Sequence, residues 1–163
     1  SNIQVGFVSA IPYLLAICTM GFWARHSDKT GERFGHVALP CAVGFVSLTA
    51  AGILHDNPVA VVTLLSIAIA GVMSARPPFW AMPADFLSGR KAAAGIAAIN
   101  SIGNLGGFAG PFLIGWAREL TGSFTAGLMI SAVTLLASAI FTLSLKRSTK
   151  LSVAINASVA SVH

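Results

Sequence analysis

Five apolar runs, each about 18 residues or longer, occupy most of this chain, and runs of that length limit what it can fold into. An α-helix rises 1.5 Å per residue, so about 20 apolar residues cross roughly 30 Å of hydrocarbon. A soluble globule would need enough polar surface to coat such runs. Of the 163 residues, 55% are hydrophobic and 9% are charged, with a mean hydropathy of +0.81. That is too little polar surface for a soluble domain and points to a bilayer. Alternating segments of about ten residues, the mark of a membrane barrel, are absent. The predicted fold class is an all-α, polytopic membrane protein.

The spans are expected at about residues 3–24, 36–54, 59–86, 92–116 and 124–145, a helical bundle over 1–145 followed by a frayed tail over 146–163. Lysine and arginine orient them. Arg25, Lys29 and Arg33 lie in the first connection, Arg90 and Lys91 in the third, and Lys146, Arg147 and Lys150 follow the last span. All three regions fall on one side, which the positive-inside rule makes cytoplasmic, with the C-terminus. The other side carries "HDNP" at His55 to Pro58 and "RELTGS" at Arg118 to Ser123, with Arg118 its one cation. The start of the chain is therefore expected outside. Because it opens on Ser1 and enters its first run almost at once, with no basic leader, it reads as a piece of something longer.

Several function classes lose support on composition. The net charge of +5 is scattered among loops and forms no stripe with interleaved aromatics, so no nucleic-acid partner is expected. Cys18 and Cys41 lie in apolar runs, where a thiol acts as a small hydrophobe. The histidines, His26, His36, His55 and His163, are spread across loops and the tail, so no metal site or cofactor is expected. No nucleophile and base pair or phosphate-binding loop appears, and the chain is not read as an enzyme.

Inside the third run, "SARPPFWAMP" sets Arg76 ahead of two prolines, about nine residues or ~14 Å from the cytoplasmic boundary near Asp85. A cation at that depth costs a few kcal/mol and usually faces the bundle interior or a watery cavity. Proline removes a backbone donor and restricts its predecessor, so the helix should be disturbed at Arg76. One reading is a snorkelling cation beside a packing kink. The preferred reading is a cationic wall for a carboxylate, which the guanidinium fork suits. Trp80, at i+4, would share its face and could cover an apolar part of a substrate.

In the fourth run, Asn100, Gly103, Asn104, Gly107 and Pro111 make one narrow stripe at helical spacing, with Ser101 a minor candidate beside it. The glycines, at GxxxG spacing, are read as packing residues. Asn100 and Asn104 could bridge helices or meet a ligand. The five carboxylates, Asp28, Glu32, Asp56, Asp85 and Glu119, all fall in loops or near span ends, with Asp85 expected to pair with Arg90 or Lys91. A proton relay would therefore need a carboxylate outside this chain.

The loop "ARHSDKTGER", from Ala24 to Arg33, joins a capping aspartate, Asp28, to a turn glycine, Gly31, among cations that can pair with neighbouring helix ends. This stretch resembles the signature loop of the major facilitator superfamily. Ala24 stands where the family usually has glycine, and Glu32 stands where a basic residue is common. "RHSDKTGER" is similar to the form found in the anion:cation symporter branch, with its carriers for tartrate, phthalate and hexonate-type acids. "PPFWAMPADFLSG" and "AGIAAINSIGNLGGFAGPFLIGWARELTGSF" are similar to helices ten and eleven of that branch. The resemblance implies that the five spans form most of the C-terminal six-helix half of a twelve-helix carrier in a bacterial inner membrane, whose N-terminal half is absent. It implies symport of a small organic anion with protons by alternating access. Arg76, Trp80, Asn100 and Asn104 would line the substrate site, and Arg25, Asp28, Gly31 and Arg33 would form a conformational latch. The rival reading is a non-transporting fragment or a helical subunit that only packs against a partner.

Overall fold

The structure, a computed structural model, describes residues 2–160, and the side chains of residues 10–149 within them. Five helices run in chain order: α1 (Asn2–Thr30), α2 (Phe34–Ile53), α3 (Pro58–Phe86), α4 (Gly89–Thr121) and α5 (Phe124–Ala160). No strand occurs among the described residues. α2 occupies the centre, packed on α3 and α5. α1 lies against α3, while α4 rests mainly on α5 and touches α3 at one end.

Small residues make this packing possible. With no hydrophobic drive between helices in lipid, close backbone approach and van der Waals contact hold them together. A Cβ at Gly71 would stand 2.9 Å from the Pro40 carbonyl oxygen, so α2 and α3 cross where only glycine fits. Ala38, Cys41, Ala75 and Ala139 form one buried cluster, and Leu48, Ala68 and Ala132 form another about two turns along α2. Cys41 behaves there as the expected small hydrophobe.

The helix ends follow local rules. Asn57 caps α3 by accepting from the Ala60 amide at 3.1 Å, with Pro58 in the first turn. Gly122 ends α4 in the left-handed region, at φ 67°, and donates its amide to the Arg118 carbonyl at 2.8 Å.

Three expectations about the elements need correction. α1 continues through Thr30, so most of the anticipated charged loop is helix and the true connection is Gly31 to Arg33. α5 runs past residue 145 to Ala160, so the tail is helical as far as it is described, and residues 161–163 lie outside the described residues. α3 is continuous through Pro77, Pro78 and Pro83. Two missing amides at Pro77 and Pro78 cost two helix bonds, but Pro78 is less than 2% exposed, and its packing against the bundle holds the turn in place.

Among the described residues, α2, α3 and α5 over Phe124–Thr149 are long and apolar enough to cross a membrane. α4, with 33 residues, has the length but falls short in apolar character. Polar residues explain it for α4, which carries Asn100, Ser101 and Asn104 in its middle.

Candidate functional site

α3 turns one side to the bundle and Arg76 to the other. Ser74 and Pro78, two residues to either side, are buried, and two residues turn a helix by about 200°. Arg76 therefore points away from the packed side. It is exposed, and its side-chain hydrogen bond is a weak one, from Nη1 to Met73 Sδ at 3.6 Å. Trp80 shares this face, 38% exposed, with its ring edge-on to Phe79 at 5.4 Å between centroids. A planar cation and an amphipathic ring thus lie one turn apart with open space before them, able to take a carboxylate and an adjoining apolar or hydroxylated carbon.

On α4, Asn100 and Asn104 are exposed and make no side-chain hydrogen bond among the described residues. Gly103, Gly106, Gly107 and Gly110 have nothing within 4 Å of a would-be Cβ. The packing role expected of these glycines finds no partner here. α4 meets the bundle elsewhere, through Ile114 against Gly127 on α5, while Ile99 lines a hollow together with Phe79, Met82 and Pro83 of α3. No polar contact joins Arg76 or Trp80 to Asn100 or Asn104 among the described residues.

A second polar region ties the helix ends beside Gly31. Gly31 adopts φ 64°, left-handed backbone that suits glycine, and so lets α1 turn sharply into α2. Asp28 does not cap a helix here. It pairs with Arg33 Nη1, which also donates to Ser27 Oγ at 3.2 Å. Arg33 Nε stands 3.5 Å from Asp85 Oδ2, a charge contact without hydrogen-bond geometry. Asp85 thus faces Arg33 across α2 and α3, not Arg90 or Lys91 as expected. Arg25 and Lys29 make no ion pair among the described residues.

Glu32 does the capping. Its carboxylate accepts from the Gly35 amide at 2.8 and 2.9 Å and from the His36 amide at 3.2 Å, where the α2 dipole favours negative charge. It also meets His36 Nδ1 at 3.0 Å and accepts from Lys146 Nζ of α5 at 2.8 Å. His36 Nε2 lies 2.7 Å from His26 Nδ1, and the Trp23 indole donates to the His36 carbonyl at 2.8 Å. Two histidines expected to be scattered are therefore side by side. No group of three or more metal-ligating side chains exists among the described residues.

Sequence reasoning missed Glu32, His26, His36 and Lys146. The i,i+4 spacing of Glu32 and His36 across a helix start was a usable signal. Nothing local marks Lys146, which is 114 residues away from Glu32.

Desolvation pushes the Glu32 pKa up, but the Lys146 bond, the Gly35 amide and His36 outweigh it and bring it from 4.5 down to about 2. A depressed folded pKa means that the stabilisation is complete above about 4.5 and disappears as pH falls through about 2. Thermal unfolding in detergent is expected to show the loss setting in between these values, and Glu32→Gln should lack that component.

No protein-family model matches the chain, and no solved structure matches it significantly. Curated relatives do. It is 52% identical, over 91% of its length, to a candidate tartrate transporter of Agrobacterium vitis. It is 40% identical, over 87%, to a quinolone resistance transporter of Acinetobacter baumannii, and 39% identical, over 88%, to the inner membrane transport protein RhmT of Escherichia coli K12. These matches cover 33%, 32% and 34% of the relatives, so the chain spans about a third of the length of the curated relatives it matches.

Proposed function

We propose, from the premise that this chain belongs to the major facilitator superfamily of membrane transporters, that it serves as the carboxy-terminal part of a carrier for small organic anions. Tartrate, named for the relative at 52% identity, is the substrate to test first. The observation that carries the reading is Arg76, a guanidinium within a membrane-length helix that has no ion pair among the described residues and is turned away from the packed side. An uncompensated cation at that depth is costly against lipid and useful beside water and an anion.

In this reading Arg76 clamps a carboxylate, Trp80 covers the adjoining carbons, and Asn100 and Asn104 of α4 donate or accept at hydroxyl groups as the two walls come together. The Asp28, Arg33 and Asp85 contacts, with Gly31 as the turn, hold the ends of α1, α2 and α3 in one arrangement, and breaking them would release another. Such latching sets the balance between inward- and outward-open states. The driving ion is a proton, taken up by a carboxylate in the remainder of the carrier. All the described carboxylates here lie at helix ends, and the cation-rich ends are cytoplasmic in a bacterial inner membrane.

Uptake of radiolabelled tartrate by cells expressing the whole carrier tests this directly. Saturable uptake that collapses with a protonophore is expected. Uptake no greater than in cells lacking the carrier would contradict the assignment to this substrate class.

A further inference from the structure

α1, α2 and α3 leave a cleft of about 640 Å³ between them. Leu15, Cys18 and Phe22 form one wall, Leu39 and Val43 another, and Gly71 of α3 lies at the floor. The lining is almost wholly carbon and largely exposed, with Phe22 at 67% and Leu39 at 55%. Its α3 residues, Ile67, Gly71 and Ser74, stand on roughly the opposite side of that helix from Arg76. The cleft is therefore separate from the proposed substrate wall.

Charge at one end says what fits it. Leu15, Cys18, Phe22, Arg25 and Lys29 recur at i, i+3, i+7, i+10 and i+14, so the apolar wall of α1 continues into two cations on the same face. Arg25 and Lys29 lie ~4.5 and ~10 Å beyond Phe22 along the axis. Both are exposed and neither has an ion pair among the described residues, whereas the nearby carboxylates are engaged: Asp28 and Asp85 by Arg33, Glu32 by Lys146. Trp23 closes the same end of the cleft, its ring fixed by the indole bond to the His36 carbonyl.

We propose that this cleft binds one anionic phospholipid, an acyl chain lying along Leu15, Cys18 and Phe22 and the phosphate paired with Arg25 and Lys29. Apolar length along a span, ending in two uncompensated cations at the cytoplasmic end, complements that molecule and no soluble anion. Bound there, the lipid would brace α1 against α2. The proposal requires the membrane-spanning fold but not the assignment of tartrate.

The whole carrier, with Trp23 as its one tryptophan, would be placed in phosphatidylcholine nanodiscs doped with phosphatidylglycerol brominated on its acyl chains. Bromine quenches indole fluorescence on contact. A juxtamembrane cation favours anionic lipid by roughly fivefold, so half-maximal quenching is expected at about 25-fold lower mole fraction than for brominated phosphatidylcholine. The Arg25→Gln/Lys29→Gln variant should bring the two lipids together. Cys18→Phe, which fills the cleft and keeps both charges, should reduce the maximal quenching. Equal quenching by the two lipids in the unaltered pair, an unchanged preference in the charge variant, or full quenching with Cys18→Phe would overturn the proposal. Absence of quenching by either lipid would mean that a helix covers the cleft, and would overturn it too.

Discussion

Arg76→Ala in the whole carrier is expected to raise the half-saturating tartrate concentration by roughly ten- to a hundredfold, the loss of about 1.5–3 kcal/mol for hydrogen bonds to a charged group. Arg76→Lys should recover part of this, because an ammonium keeps the charge without the planar fork. Stability should barely change in either variant, since Arg76 is exposed and its one side-chain hydrogen bond among the described residues is the weak one to the sulfur of Met73. A substrate role and a structural role therefore separate cleanly. Transport measured over a concentration series, beside the unfolding midpoint of the same protein, distinguishes them. An unchanged half-saturating concentration would remove Arg76 from the site.

Glu32→Ala is expected to destabilise the protein by about 1.5–2 kcal/mol. Losing the cap on the Gly35 and His36 amides accounts for about 1 kcal/mol. The remainder comes from the contacts with Lys146 and His36, discounted because the side chain is about a third exposed. Lys146→Ala should cost less, about 0.5 kcal/mol, since it leaves the cap intact. Equilibrium unfolding in detergent measures both, and a double-mutant cycle isolates the pair. Equal losses from Glu32→Ala and Lys146→Ala would mean that the cap contributes nothing.

The helices were legible because their signal is long and repeated: an apolar run of membrane length has few alternatives. Their ends were less so. The stretch from Ala24 to Thr30 reads as a loop by charge, yet it is helix, and its polar residues find partners just beyond its end: Asp28 pairs with Arg33, Ser27 donates to the Glu32 carbonyl and His26 meets His36. The proline pair misled in the same way. Burial of Pro78 against the bundle, which spacing cannot reveal, keeps α3 unbroken.

The candidate site divides similarly. That Arg76 and Trp80 share a face follows from i,i+4 spacing and is observed as exposure on one side of α3. The placing of Asp85 opposite Arg33 was not legible, because sequence proximity favoured Arg90 and Lys91 while the fold brings the start of α2 to the end of α3. The meeting of His26 with His36, and of Glu32 with Lys146, likewise depends on how α1, α2 and α5 end together.

The central claim is that the guanidinium of Arg76 looks into water at the middle of the carrier. Arg76→Cys, in a carrier with Cys18, Cys41 and any other cysteine replaced, can be exposed to a membrane-impermeant thiol reagent from either side. Labelling from at least one side, slowed by tartrate, is the predicted result. A thiol at position 76 that never reacts from either side, with or without tartrate, would contradict the account.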